Sequence, residues 1–161
     1  LTSEIKKFFK KTIILSGCIS TGRDIASALQ MGADFAYMGT RFINTKESLA
    51  DEGYKDMIIN SKADDIIYTA AVSGVNANFL KPSLEAMGIT EDMWKNSKKI
   101  DFGKELSAAE AEAKAWKTIW SAGQGVTSIS DSPSVKDLVE KLKKEFVESI
   151  RQQNNLLTNF S

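Results

Sequence analysis

Apolar positions in "KTIILSG" (11–17) run without a break, with β-branched residues at Thr12, Ile13 and Ile14 and then Leu15 ahead of a serine and a glycine. An unbroken apolar run closed by a turn residue is the pattern of a strand buried on both faces. The period then changes. In "RDIASALQMGA" (23–33), Ile25, Ala26, Leu29 and Ala33 recur at helical spacing, and Gly32 stands where a helix would stop. "DFAYMGT" (34–40) returns to a short strand and contains a second glycine, Gly39. Strand, turn, helix and strand within about 30 residues is the size of a βαβ unit. Such a unit pairs its strands in parallel through a right-handed crossover.

Strict alternation is lost after Phe42, which marks a different kind of structure. "DEGYKDMIINS" (51–61) predicts a helix, and "DDIIYTAAVSG" (64–74) a strand closed by Ser73 and Gly74. "KPSLEAMG" (81–88) has proline near its start and glycine at its end, the asymmetry of a short helix. Ser107 and Glu110 form a capping-box pattern ahead of "AAEAEAKAWKTIW", which places Trp116 and Trp120 one helical turn apart. "SAGQGV" (121–126) breaks that helix. The last helix takes Asp131 or Ser132 as cap and Pro133 in its first turn. Val135, Leu138, Val139, Leu142, Phe146 and Ile150 form its apolar stripe. The tail "RQQNNLLTNFS" is expected to fray, and "TSEIKKFFKK" at the start reads as an amphipathic helix.

Composition narrows the class without naming a reaction. The 161 residues hold 21 Lys plus Arg against 21 Asp plus Glu, a balance that gives nucleic acid or an anionic membrane no electrostatic hold. No apolar run nears the roughly 20 residues needed to cross a bilayer. One cysteine excludes an internal disulfide and fits a cytoplasmic, reducing compartment. One cysteine and no histidine leave no ordinary zinc site, so no metal is expected. The chain starts at Leu1 with no secretory signal pattern, and is expected to be part of a longer protein.

The chemistry gathers at the two strand-end glycines. In parallel α/β units the carboxyl ends of strands form the functional face. Gly17 and Gly39 both fall there, where the missing side chain lets a ligand approach the backbone. A helix starting near Gly22 points its free N–H groups and positive dipole end at the same space, and Thr40 adds a hydroxyl. Together these make a phosphate cradle built mostly of backbone amides, which tolerates a cysteine at position 18. Ordinary turns also use strand-end glycines. "GCISTGRD" (17–24) has the glycine spacing of a P-loop, but Arg23 and Asp24 stand where lysine and serine or threonine are needed, so that reading is rejected.

Other residues carry paired readings. Arg41 could grip a phosphate, but pairing with Asp34 or Asp24 is favoured. Trp94, Trp116 and Trp120 are read as core rather than as stacking platforms. Ser73, Asn76 and Asn78 lie on a glycine-bounded loop and serve either a ligand or the loop itself. Gln124, between two glycines, contacts a ligand or satisfies backbone; the sequence leaves both open. Cys18 has no base beside it and is read as incidental to chemistry.

"ILSGCISTGRDIASALQMGADFAYMGTRF" (14–42) resembles the phosphate-binding segment of the nitronate monooxygenases, formerly 2-nitropropane dioxygenases. These are FMN-dependent (β/α)₈ TIM-barrel enzymes whose usual pattern is Gly-Gly-Ile after one strand and Met-Gly-Thr-Arg-Phe after the next. Gly17-Cys18-Ile19 departs from the first motif at one glycine, while Met38-Gly39-Thr40-Arg41-Phe42 matches the second in full. "AVSGVNANFLKPSL" (71–84) and "AKAWKTIWSAGQGV" (113–126) are similar to later family segments, so the resemblance covers most of residues 11–146.

The resemblance implies an α/β fold: the C-terminal portion of an FMN-binding barrel, with its last two strands and closing helix, and an inserted small α+β domain. Residues 1–42 would be the barrel segment, 43–121 a cover domain, and 122–161 the return to the barrel. Gly17, Cys18, Tyr37, Met38, Gly39 and Thr40 would hold the FMN phosphate, with Ser73, Asn76 and Gln124 near the substrate. The implied reaction is oxidation of alkyl nitronates or nitroalkanes by molecular oxygen. Family members draw the substrate proton with an upstream histidine, so no catalytic residue is assigned within this chain. The partners implied are a small nitro compound, oxygen and the N-terminal barrel portion. The alternatives are an FMN-dependent enoyl-acyl carrier protein reductase, which reduction of the flavin by NADH would reveal, or a non-catalytic phosphate- or partner-binding fragment.

Overall fold

The structure is a computed structural model and describes residues 1–95 and 117–159. In chain order its described elements are α1 (Thr2–Phe8), β1 (Ile14–Ser16), α2 (Gly22–Gln30), β2 (Phe35–Tyr37), α3 (Thr40–Ile43), α4 (Glu52–Asn60), β3 (Ile66–Thr69), β4 (Ala77–Leu80), α5 (Lys81–Ala86), α6 (Glu91–Lys95) and α7 (Val135–Leu157). Contacts divide the chain into two units, Leu1–Ala50 with Ser128–Ser161, and Asp51–Thr127. The first division falls later than position 42 because residues 44–47 are bonded to residues 131–135.

In the first unit β1 and β2 pair in parallel, with Ile14 opposite Phe35, Leu15 opposite Ala36 and Ser16 opposite Tyr37. The βαβ pattern is therefore formed. α2 starts where a capping box forms: Thr21 Oγ1 accepts from Asp24 N–H at 3.2 Å, and the Asp24 carboxylate accepts from Thr21 N–H at 2.9 Å. It stops before Gly32, whose φ of +94° is the left-handed conformation a glycine stop supplies. Ala26 and Ala28 are fully buried, and this small-residue helix packs against α7, where Leu138, Leu142 and Ser149 are buried.

Three expectations are corrected here. Two-sided burial of the strands is not found. Ile14, Phe35 and Tyr37 are 60%, 61% and 61% exposed, because a single helical layer covers only one face of the ribbon among the described residues of this unit. The cap of α7 is Ser134, whose Oγ accepts from Asp137 N–H at 3.1 Å; Asp131 and Ser132 precede it, and Pro133 stays outside the helix with its carbonyl accepting from Lys46 N–H at 3.0 Å. The expected fraying after Ile150 does not occur, and the helix continues to Leu157. Arg23 donates to Gln152 at 3.0 Å, and Gln30 bonds Gln153, fastening this stretch to α2.

In the second unit Asp51 caps α4 by accepting from Gly53 N–H at 2.8 Å. β3 and β4 form an antiparallel pair with Ile66 opposite Leu80 and Thr69 opposite Ala77, in a sheet separate from β1 and β2. β4 was not expected from the sequence: "ANFL" is short and follows a polar stretch, and burial of Phe79 and Leu80 makes the strand. Phe79 joins Val72, Leu84, Ile89, Trp94 and Ile119 in the core, which is the role favoured for Trp94. Trp120 is not on a helix. Its N–H donates to Ser83 Oγ at 3.1 Å and its carbonyl accepts from Leu80 N–H at 2.8 Å, so the backbone is committed to the end of β4. Its ring stacks on Tyr54 with centroids 5.1 Å apart. Tyr54 donates its hydroxyl to the Ser121 carbonyl, and burial pushes its pKa above the usual tyrosine value. Trp116 and the Ser107–Glu110 capping box lie outside the described residues.

The α2–α7 contact yields a test. A β-carbon at Gly22 would sit 2.7 Å from Glu145 Cβ and closer still to the main chain of Leu142 and Phe146. Gly22→Ala is expected to destabilise the chain by about 1–3 kcal/mol, the usual cost of overpacking. Chemical denaturation of the two proteins measures it; an unchanged midpoint would mean the helices do not approach this closely.

Candidate cofactor-phosphate site

The register of β1 and β2 sets the geometry. Ser16 lies opposite Tyr37, and its hydroxyl donates to the Tyr37 carbonyl at 3.4 Å, so both chains leave the ladder side by side at the same end. Neighbouring strands lie about 4.8 Å apart, which brings the residues after Ser16 and after Tyr37 within reach of one small ligand.

The first turn is left-handed at two successive residues, Gly17 at φ +99° and Cys18 at φ +55°. Gly17 is required by its conformation. Cys18 is exposed and is the one described non-glycine residue with positive φ. Left-handed backbone costs an L-residue about 1–2 kcal/mol, so a glycine would suit position 18 better. The second turn differs. Gly39 has φ −108°, open to any residue, and a β-carbon built on it would meet nothing within 4 Å. Neither backbone nor internal packing asks for glycine there. What a glycine at 39 preserves is access to the backbone from outside. Tyr37 is exposed, Met38 is half-buried, and Thr40 opens α3 with its hydroxyl.

The start of α2 supplies fewer donors than its position implies. The N–H groups of Ser20 and Thr21 each donate to Asp24 Oδ2 at 2.9 Å, and Gly22 N–H donates to Glu145 Oε2 at 2.8 Å. An anion there would displace two carboxylates. The expected contribution of free amides from this helix is therefore corrected, and the candidate donors narrow to the amides of Gly17, Cys18 and Gly39. Turn and cap hydrogen bonds use none of the N–H groups of Gly17, Cys18 and Gly39. Neutral amide donors and a surface open at Gly39 fit a phosphate group.

Arg41 does not face this cradle. It is only 2% exposed, and its Nη2 meets Asp131 Oδ1 at 2.6 Å while Nη1 donates to the Asp131 carbonyl at 3.1 Å. The structural role favoured for Arg41 is found, with a different partner. Asp34 is taken by Ile13 N–H at 2.8 Å and Asp24 by the α2 cap. Asp131 is 90 positions from Arg41, and it also joins the buried Asn44, whose Nδ2 donates to the Asp131 carbonyl at 3.2 Å from 87 positions away. No local spacing could have found Asp131.

The remaining expected residues fall in the second unit. Ser73 Oγ donates to the Val75 carbonyl at 2.7 Å and accepts from Val75 N–H at 3.3 Å, shaping the turn between β3 and β4. Asn76 is exposed in that connection, and Asn78 lies in β4 opposite Tyr68, not in a loop. Gln124 is exposed at the head of a 3₁₀ turn, Gln124–Ser128. Among the described residues no group of His, Cys, Asp and Glu side chains could hold a metal ion, and no helix is long and apolar enough to cross a membrane.

Known proteins give this arrangement a context. A nitronate monooxygenase from Paraburkholderia phytofirmans is 34% identical over 158 residues, which is 94% of this chain and 42% of that protein. FabK from Thermotoga maritima has a similar structure, with a TM-score of 0.71 at 25% identity over 97% of this chain and 50% of that one. A structure titled as nitroalkane oxidase from Streptomyces ansochromogenes matches with a TM-score of 0.71 at 27% identity, over 94% of this chain and 44% of its own. The chain thus spans about half the length of these relatives or less. The family model for nitronate monooxygenase matches residues 2–145, nearly the whole of the chain, which belongs to the nitronate monooxygenase family.

Proposed function

We propose that this chain carries the phosphate-binding end of an FMN-dependent enzyme that oxidises alkyl nitronates or nitroalkanes with molecular oxygen. The observation that carries the reading is Gly39, a glycine that neither its φ nor its neighbours require, beside a left-handed turn at Gly17–Cys18. Family membership supplies the reaction class.

Bound FMN would supply the redox chemistry. The chain's own contribution is to grip and orient it. Amides at Gly17–Cys18 and Gly39–Thr40 would take the phosphate. The exposed face of Ile14, Phe35 and Tyr37 is the surface that upstream barrel strands would cover, completing the parallel sheet. The second unit's own part would be contact with the nitro compound through Ser73, Asn76 and Gln124. With no histidine in the chain, the base that draws the substrate proton comes from the upstream segment. The working compartment would be the cytoplasm.

Gly39→Val separates this reading from a structural one. A β-carbon there meets nothing within 4 Å, so the fold should tolerate the variant, at a cost of no more than about 1 kcal/mol for replacing the glycine ahead of α3. FMN retention should be lost, because the branched side chain fills the approach to the phosphate. Equal FMN affinity in both proteins, measured by flavin fluorescence, would place the site elsewhere.

Cys18→Gly probes the first turn. Removing the left-handed penalty should stabilise the chain by about 1 kcal/mol in chemical denaturation, with FMN binding retained. A loss of stability would mean the cysteine side chain makes a contact that outweighs the backbone cost.

Activity gives the third test. Oxygen uptake with a nitroalkane and added FMN should be absent for these 161 residues alone and appear on co-production with the upstream barrel segment. Robust turnover by the chain alone would put the base among its own carboxylates or tyrosines. Rapid reduction of the flavin by NADH without nitroalkane oxidation would identify a reductase using the same turns.

A further inference from the structure

We propose that Asp131 is a positioning residue for the cofactor phosphate, acting through the buried Arg41 to hold the Gly39–Thr40 turn in its binding shape. The inference rests on the phosphate reading of that turn and adds a residue far from it in sequence.

The turn has little stiffness of its own. β2 ahead of it is three residues long, and α3 behind it is four, well short of a helix that stands unaided. The Gly39 carbonyl accepts from Phe42 N–H at 2.9 Å, so the turn is tied to the residues that follow it and shares what those are fastened to. Those residues are stitched to the segment ahead of α7 at several points. Arg41 Nη2 meets Asp131 Oδ1 at 2.6 Å, and Arg41 Nη1 and Asn44 Nδ2 both donate to the Asp131 carbonyl, at 3.1 and 3.2 Å. Lys46 N–H donates to the Pro133 carbonyl at 3.0 Å, and Glu47 accepts from Val135 N–H at 2.9 Å.

Asp131 is the centre of this seam. It is the carboxylate that faces the guanidinium of Arg41, whose other acceptors are carbonyl oxygens. The cation is buried and its carboxylate is half-exposed at the boundary, so losing the charge of Asp131 strands a buried cation. Lys141, 3.6 Å from Asp131 Oδ2, approaches from the exposed side and cannot take the place of the carboxylate. Arg41 directly follows Thr40. A guanidinium pushed to seek water therefore drags the second half of the amide cradle with it. A cradle of backbone amides binds well only if its donors are already in place. Freeing one residue of the turn before binding corresponds to about tenfold in affinity.

The test uses Asp131→Asn, titrated with FMN and with riboflavin, which lacks only the phosphate. Hydrogen exchange of the flavin-free protein is followed in parallel. The expected result is FMN binding weakened about tenfold, riboflavin binding unchanged, and faster exchange confined to residues 39–47. A general loss of stability would lower affinity for both flavins alike. Glu47→Ala loosens the same seam without touching the buried charge, and should act in the same direction but more weakly, which keeps the proposal testable should Asp131→Asn not fold. Equal weakening for both flavins, or unchanged FMN binding and exchange, overturns the role of Asp131. If the parent protein itself does not prefer FMN to riboflavin, the phosphate reading fails first, and this inference falls with it.

Discussion

Parallel pairing of β1 with β2 is the constraint from which the first unit is built. Two parallel strands cannot be joined by a tight turn, so the chain must cross over, and α2 is that crossover. The helix needs a face against which to bury itself. α7 provides one, although it follows more than 100 residues later. The same pairing fixes which residues leave the ladder together. With Ser16 opposite Tyr37, Gly17 and Met38 emerge as neighbours. A register shift of one residue would separate the turns and turn Ile13 and Leu15 toward the exposed face.

Much of this was legible from local pattern, because local physics decides it. The helix start near Gly22, the stop at Gly32 and the short helix between Pro82 and Gly88 each follow from a few adjacent residues. The failures share a different cause. Asp131 reads as a cap because it sits ahead of an apolar stripe, yet Arg41 claims it from 90 positions away and leaves the cap to Ser134. Trp120 reads as helical by spacing from Trp116, but Leu80 and Ser83 take its backbone groups. The amides at the start of α2 read as free until Glu145 arrives from α7. In each case a partner distant in sequence outbids the local preference.

The candidate site was legible in outline for the same reason. Gly17 and Gly39 sit at strand ends, and strand ends can be read from apolar runs. That the two glycines do different work could not be read, since it depends on φ angles and on what lies within 4 Å. Nor could the sequence show that the residues after the Gly39 turn are bonded to the leader of the terminal helix.

Gly22 and Gly39 answer to different judges. At Gly22 the crowding comes from within, so any side chain disturbs the seat of one helix on another and is felt by the folding machinery and proteases that inspect every copy. At Gly39 a β-carbon meets nothing within 4 Å. A small replacement there would pass cellular quality control unnoticed and be removed only by selection on function. A gene copy released from its duty would thus keep Gly22 for as long as it still had to fold, and would lose Gly39 first.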